Sequence, residues 1–417
     1  MKFRLFILLA FSITSAQAQS CCGNHIDESF PSVFTRDSVY ASSQETYSGN
    51  LVNLSLRIYD TQENTCNSRP LLLLVHGGAF GGGSYTQMAE LANRFATRGY
   101  VVISAGYRLG FASSGALCPT DTSELIRAWY RGMQDIRSSI RWAKERHASL
   151  RIDTNLVFLA GWSAGAYISS GIAYLDRAQE KPNQCFEINS INTNGNDLSR
   201  PDLGPIEGLS NLNDYSDNIV GFASFSGAFL FSENIELGRK PGALFFNNKQ
   251  DDYSVPYETC EQDLWQYNCL QGYPTVCGIE AMTPLLEELQ IAYDYRVYDT
   301  VPCGHSMHQS CFPLFDEEVS IMAEFFNQLM DCNSTTSILQ KEENKAIRNL
   351  FLESGNVSIP WDNQKIPCSI LNSNGSFVNS VYAKDGRLKL PNLLPGIYYL
   401  KSSENFDSPS VIRLVIR

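Results

Sequence analysis

Short apolar runs alternate along this chain with stretches in which apolar residues return every three or four positions. Leu71-Leu72-Leu73-Leu74-Val75 is apolar throughout, and Tyr100-Val101-Val102-Ile103-Ser104 and Asn155 to Ala160 read the same way. A run with no polar alternation predicts a strand covered on both faces. Further strands are predicted at Ile219 to Phe225, Ala243 to Asn247 and Tyr293 to Tyr298. Helical spacing appears at Met88 to Arg98, Gly132 to His147, Ala166 to Ala173, Ile279 to Leu289 and Leu314 to Met330. Leu51 to Tyr59 instead alternates apolar and polar, as an outer strand would, and the stretch before it is polar. Strands alternating with amphipathic helices predict the α/β class, a mostly parallel sheet with helices on both faces.

Two regions break this rhythm. Residues 180–217 are rich in Asn, Asp, Ser and Pro and are long for a plain connection, so they are expected to be an insertion, either a lid over a site or a solvated loop. Within them, Asn192 to Asp197 faintly resembles a calcium loop but has no acidic ligand at the required downstream spacing. From Cys332 the composition turns small and polar, and the charged run Lys341 to Arg348 follows, so 335–349 reads as a linker. Beyond it come short strand-like segments at Asn356 to Ile359, Ile366 to Leu371, Ser376 to Tyr382, Leu388 to Leu390, Ile397 to Lys401 and Val411 to Ile416. Asn374-Gly375 and Pro395-Gly396 mark turns between them, and residues 350–417 are expected to form a small β-sandwich.

Composition narrows the classes. The 417 residues are 43% hydrophobic and 18% charged, which excludes a disordered chain and a membrane bundle. A formal charge of -12, with no cluster of Lys and Arg among aromatics, argues against nucleic acid as a partner. Met1 to Arg4 is basic, Leu5 to Ile13 apolar and Ala16-Gln17-Ala18 small at both ends, the pattern of a signal peptide over 1–18. The mature chain is then exported, with no transmembrane segment, to a secreted or cell-surface location. Gln19 before Cys21 makes a poor lipidation site. The 12 cysteines are even in number and lack close Cys-x-x-Cys pairs, so disulfides are expected in preference to zinc. A bridge between Cys303 and Cys311 would brace the loop between them.

The candidate chemistry centres on Gly161-Trp162-Ser163-Ala164-Gly165, set between a predicted strand and a predicted helix. A serine on so sharp a turn has an exposed Oγ, and glycines two residues either side let the arms cross. Ser163 is the candidate nucleophile. Its base must be one of five histidines. His25 precedes the sheet, His147 ends a helix and His76 belongs to a glycine-rich turn. His305 and His308 lie in the loop after the last strand, at the edge where the strands end, and His305, behind Gly304, is the better placed. The orienting acid should leave the strand before that, which offers Asp251 and Asp252; the run Asp252-Tyr253-Ser254-Val255-Pro256 favours Asp252. His76-Gly77-Gly78-Ala79-Phe80-Gly81-Gly82-Gly83-Ser84 supplies backbone donors for an oxyanion, from Gly78 and Ala79 together with Ala164. It lacks the Gly-Lys-Ser/Thr ending or the Rossmann spacing of a nucleotide site.

With these residues in place, residues from about 35 to 330 resemble the α/β-hydrolase superfamily. The His-Gly-Gly-Ala-Phe turn resembles its esterase/lipase branch, including hormone-sensitive-lipase-like and feruloyl-esterase-like enzymes. Gly106-Tyr107-Arg108-Leu109-Gly110 resembles a segment these esterases carry, but the region after Leu109 lacks their Ala-Pro-Glu and carries Cys118. The resemblance implies a catalytic domain over 19–334 with Ser163, Asp252 and His305 as nucleophile, acid and base. Leu393 to Lys401 and the basic, β-rich Val411 to Arg417 resemble the C-terminal sorting domain of type IX secretion, which implies the secretion machinery as a partner. The expectation is a secreted carboxylic ester hydrolase that needs no metal or organic cofactor. Its substrates would be small or polysaccharide-linked esters, such as acyl or feruloyl decorations. A serine exopeptidase of the same fold and a non-catalytic binding protein are the alternatives.

Overall fold

The computed structural model describes residues 25–45, 47, 49–115, 118–193, 196–236, 240–249, 255–260, 262–263, 273–298, 305 and 312–330, and the strands between 350 and 416. Eight strands form one sheet: β1 (Val33–Gln44), β2 (Leu51–Thr61), β3 (Arg69–Val75), β4 (Val101–Ala105), β5 (Ile152–Trp162), β6 (Gly221–Phe225), β7 (Gly242–Asn248) and β8 (Tyr293–Tyr298). Their spatial order is β1-β2-β4-β3-β5-β6-β7-β8. β1 pairs antiparallel with β2 and β2 with β4; every later neighbour is parallel.

The unbroken apolar runs have the cause predicted for them. Leu71, Leu73 and Val75 enter one core while Leu72 and Leu74 enter another on the opposite face. The first core lies under α2 (Thr122–Glu145) and α3 (Ala164–Tyr174), the second under α1 (Ala89–Ala96) and α5 (Phe312–Leu329). A further helix, α4 (Ile279–Glu288), precedes β8. α1 buries Leu91, Ala92, Phe95 and Ala96 and ends at Ala96; the turn after it reaches Gly99, whose φ of 90° suits a residue without Cβ.

β1 was hidden in the polar N-terminal stretch. It is an edge strand, mostly exposed or half-buried, and its tie to β2 includes the exposed Asp37–Arg57 ion pair. An edge strand need not show an apolar face, so periodicity could not find it. α2 starts at Thr122, ten residues before the predicted Gly132. Asp121 caps it, its carboxylate accepting from the Glu124 amide at 3.2 Å.

The insertion explains why α2 is hard to read. Ile188–Thr193 and Asn196–Arg200 form an antiparallel hairpin in which the Asn192 amide donates to Asp197. From there to 218 the chain runs as a strap across the polar side of α2. Arg127 donates to the carbonyls of Gln184, Phe186 and Pro201, Gln134 to those of Leu203 and Pro205, and Arg141 to those of Glu207, Ser210 and Asn211. Lys144 donates to Asn218 O, and Arg141 also pairs with Asp217 at 3.0 Å. The carbonyls of an irregular segment have no paired strand to donate to them, and the Arg, Gln and Lys side chains of α2 supply the donors. The result is a helix buried nearly all round.

Cys260 and Cys277 are bridged to each other, and Cys66 and Cys118 each take part in a further disulfide. Cys185 departs from the expected pairing: it is a free, buried thiol, pushed up to about 12 by burial and packed as a small apolar side chain. Cys303, Cys311, the predicted signal peptide and the linker 335–349 lie outside the described residues.

The C-terminal strands form their own hydrogen-bonded sheet of seven. Its order is Leu350–Leu352, Val411–Ile416, Gly396–Ser402, Ile366–Asn372, Phe377–Lys384, Arg387–Lys389 and Asn356–Ser358. Only the first pair is parallel. Leu350–Leu352 was not anticipated; the other six coincide with the predicted segments to within a few residues.

Candidate active site

Parallel strands all present their C-terminal ends to one edge, and the register makes that edge nearly level. Val75 lies opposite both Ala105 and Gly161, Phe225 opposite both Trp162 and Phe246, and Asn248 opposite Tyr298. The glycine-rich turn leaves β3, Ser163 leaves β5 and His305 follows β8. Residues far apart in sequence are thereby gathered on adjacent loops.

At Ser163 the backbone has φ 54° and ψ -119°, a conformation normally left to glycine. The flanking glycines are steric necessities. A Cβ on Gly161 would lie 2.1 Å from Gly165 O, and one on Gly165 would lie 2.0 Å from Val75 O. That second approach seats the start of α3 against the exit of β3 and brings the serine beside the glycine-rich turn. Ser163 is 4% exposed, and its amide donates to Phe225 O at 2.9 Å.

His305 is brought to the serine. Its Nε2 lies 2.7 Å from Ser163 Oγ, within hydrogen-bond reach. The candidate base thus lies beside the candidate nucleophile. Asp251, Asp252 and His308 lie outside the described residues, so the orienting acid and the second histidine have no observed positions.

Gly78, Ala79 and Phe80 all have positive φ, at 115°, 54° and 57°. Gly81 and Gly82 both donate to Gly78 O, at 3.0 and 2.9 Å, which closes a tight turn. A Cβ on Gly78 would lie 2.3 Å from Gly82 O. His76 locks the base of this turn. Its Nδ1 is 2.7 Å from Gly77 O, and its ring stacks on Tyr107 at 4.5 Å, while the Tyr107 hydroxyl donates to His76 O at 3.0 Å. Burial pushes the His76 imidazole down to about 4, so it is neutral near pH 7, and its part is structural.

One contributor to the site, Trp162, carried no mark in the sequence, and α5 holds a buried carboxyl that carried none either. The Trp162 indole N–H donates to His305 O at 2.9 Å, a partner 143 residues away. Glu318 on α5 is fully buried with neither carboxylate oxygen hydrogen-bonded, and burial, then Glu317, pushes it up to about 8. Periodicity placed it on a helix and could say nothing of its surroundings.

A sheet in this order, with a serine on a left-handed elbow after its fifth strand and a histidine beyond its eighth, has the α/β-hydrolase fold. Residues 56–198 match the BD-FAE family model, a span running from β2 through the elbow to the hairpin of the insertion. Over this span and the stretches matched below, the chain is similar to esterases of the α/β-hydrolase superfamily.

Human carboxylesterase 3 is 32% identical over 136 residues, 32% of this chain and 23% of that protein. The Rhodococcus erythropolis protein named "Probable N-octanoylanthranilate hydrolase AqdA2" is 35% identical over 115 residues, 27% of this chain and 24% of its own length. The chain thus spans about a quarter of the length of these curated relatives. Among solved structures, the butyrate-bound thermophilic esterase Est2 of Thermogutta terrifontis is 16% identical with a TM-score of 0.48, covering 73% of this chain and 96% of that one. The fold assignment rests on this chain's own strand order.

Proposed function

We propose that the chain is a serine-dependent carboxylic ester hydrolase working through an acyl-enzyme on Ser163. The observation that carries the reading is the pairing of a strained, elbow-borne serine with His305 Nε2 at 2.7 Å. Ser163 Oγ attacks the acyl carbonyl carbon while His305 takes the hydroxyl proton. The amides of Gly78, Ala79 and Ala164 receive the oxyanion; one such donor is worth roughly 100- to 1,000-fold in turnover. The imidazolium returns its proton to the departing alcohol. Water then attacks the acyl-enzyme with the same histidine as base, releasing the acid and free Ser163. Asp252 holds the imidazole tautomer and stabilises the imidazolium. No step calls on a metal or organic cofactor.

An exported chain with a sorting-type tail fits an enzyme that feeds on esters outside the cell. Acyl or feruloyl decorations of polysaccharide are the substrate class we favour, with secretion machinery engaging residues 350–417. The test compares the mature protein with Ser163→Ala on short p-nitrophenyl esters and on aminoacyl anilides. Ester turnover is expected in the wild type, with a loss on the order of 10⁴-fold or more in the variant. Turnover that survives the substitution, or anilide cleavage without ester cleavage, overturns the reading. No turnover at all would favour a non-catalytic protein of this fold.

A further inference from the structure

From the contacts of one side chain, we infer that Trp162 is the residue that positions His305 and the glycine-rich turn against Ser163; the inference rests on the esterase reading above. The side chain is fixed by its place in the chain. Trp162 is the last residue of β5, paired in register with Phe225, and it packs beside the core under α1 and α5, opposite α3. The left-handed backbone of Ser163 follows at once, so the indole and the serine hydroxyl leave adjacent residues in fixed relative directions.

The indole then meets two other parts of the site. Its N–H donates to His305 O at 2.9 Å, with the two rings 6.1 Å apart. Its six-membered ring also lies against Gly77, where an added Cβ would be 2.9 Å from the ring and 3.0 Å from Trp162 O. Gly77 is therefore bare because the indole occupies that space. The nucleophile, the base and the turn carrying Gly78 and Ala79 leave three different strands, and a single ring touches or adjoins all of them.

A general base must hold its nitrogen within hydrogen-bond reach of the hydroxyl through the whole cycle. A donor on its own carbonyl limits how far the residue can swing. Trp162 touches no reacting atom, so it acts through His305.

Trp162→Phe tests this by removing the N–H while keeping a ring against Gly77. Active sites are first counted with a fluorophosphonate that labels Ser163. Per labelled site, kcat on a p-nitrophenyl ester is expected to fall about tenfold, roughly 1.4 kcal/mol, with KM within about twofold. The acid limb of the kcat/KM profile should move, because the histidine whose titration it reports has lost a constraint.

The second readout is independent of turnover. In a histidine-labelled sample, the His305 ring resonances and their titration should shift in Trp162→Phe, with those of His25, His76 and His147 unmoved. An unchanged kcat per site with an unmoved acid limb overturns the inference, and so does an unmoved His305 resonance. If the wild type neither labels nor turns over ester, the functional reading fails, and the resonance experiment still decides the role of Trp162.

Discussion

Ser163 is held where a side chain is unwelcome. Non-glycine residues in such regions carry a strain of roughly 1–3 kcal/mol, sustained by the packing of Gly161 and Gly165 around them. Ser163→Gly relieves that strain but adds freedom to the unfolded chain, so it should be more stable than Ser163→Ala by about 1 kcal/mol. Urea denaturation of the two inactive variants measures the difference, and equal midpoints would mean that the elbow is not strained. At this scale the sequence was most informative where chemistry is contiguous. The pentapeptide and the glycine-rich turn each carry their geometry in a few adjacent residues, and the order of parts led to His305. Trp162 sat inside the same pentapeptide and was passed over, because its partner lies 143 residues away and no local rule connects them.

At the scale of elements, the strands were read nearly whole and the helices less well. Leu71 to Val75 announced a central strand because both faces of the sheet are covered, which makes every position apolar. β1 offered no such pattern, being half in solvent. α2 was found only over its second half, since its cationic side is buried by the strap instead of wetted. α5 conceals a comparable surprise in Glu318, whose carboxyl is raised from the ordinary 4.5 to about 8. The folded state holds this proton more tightly than the unfolded chain. That contribution is present below about pH 4.5 and is lost as pH rises through about 8. Wild type should therefore lose stability relative to Glu318→Gln across that window, by up to about 1.4 kcal/mol per pH unit. Denaturation midpoints of both proteins from pH 5 to 8 give the answer; parallel curves would mean that Glu318 has found a partner for its charge.

Across the whole molecule, the sequence divides into an α/β portion and a later run of short strands, and these strands lie in sheets that share no strand. What it could not foresee was how the insertion is used. Two readings were open, a lid or a solvated loop, and both treated residues 180–217 as a matter of composition. Its described contacts run instead to the donors of α2, a relationship that exists only once the fold is formed.

That strap also has a history each time the chain folds. Its bonds to Arg127, Gln134, Arg141 and Lys144 join residues between 57 and 76 positions apart, whereas α2 closes on neighbours three or four away. Loop closure over such spans costs entropy before any bond repays it, so the helix should be in place first and wait for its cover. Until then a row of cations lies open along the nascent domain, and residues 201–218 remain accessible to protease. Refolding followed by far-ultraviolet dichroism and by pulsed proteolysis should show helix recovered ahead of resistance at the strap. One shared rate for both would mean that helix and strap form together.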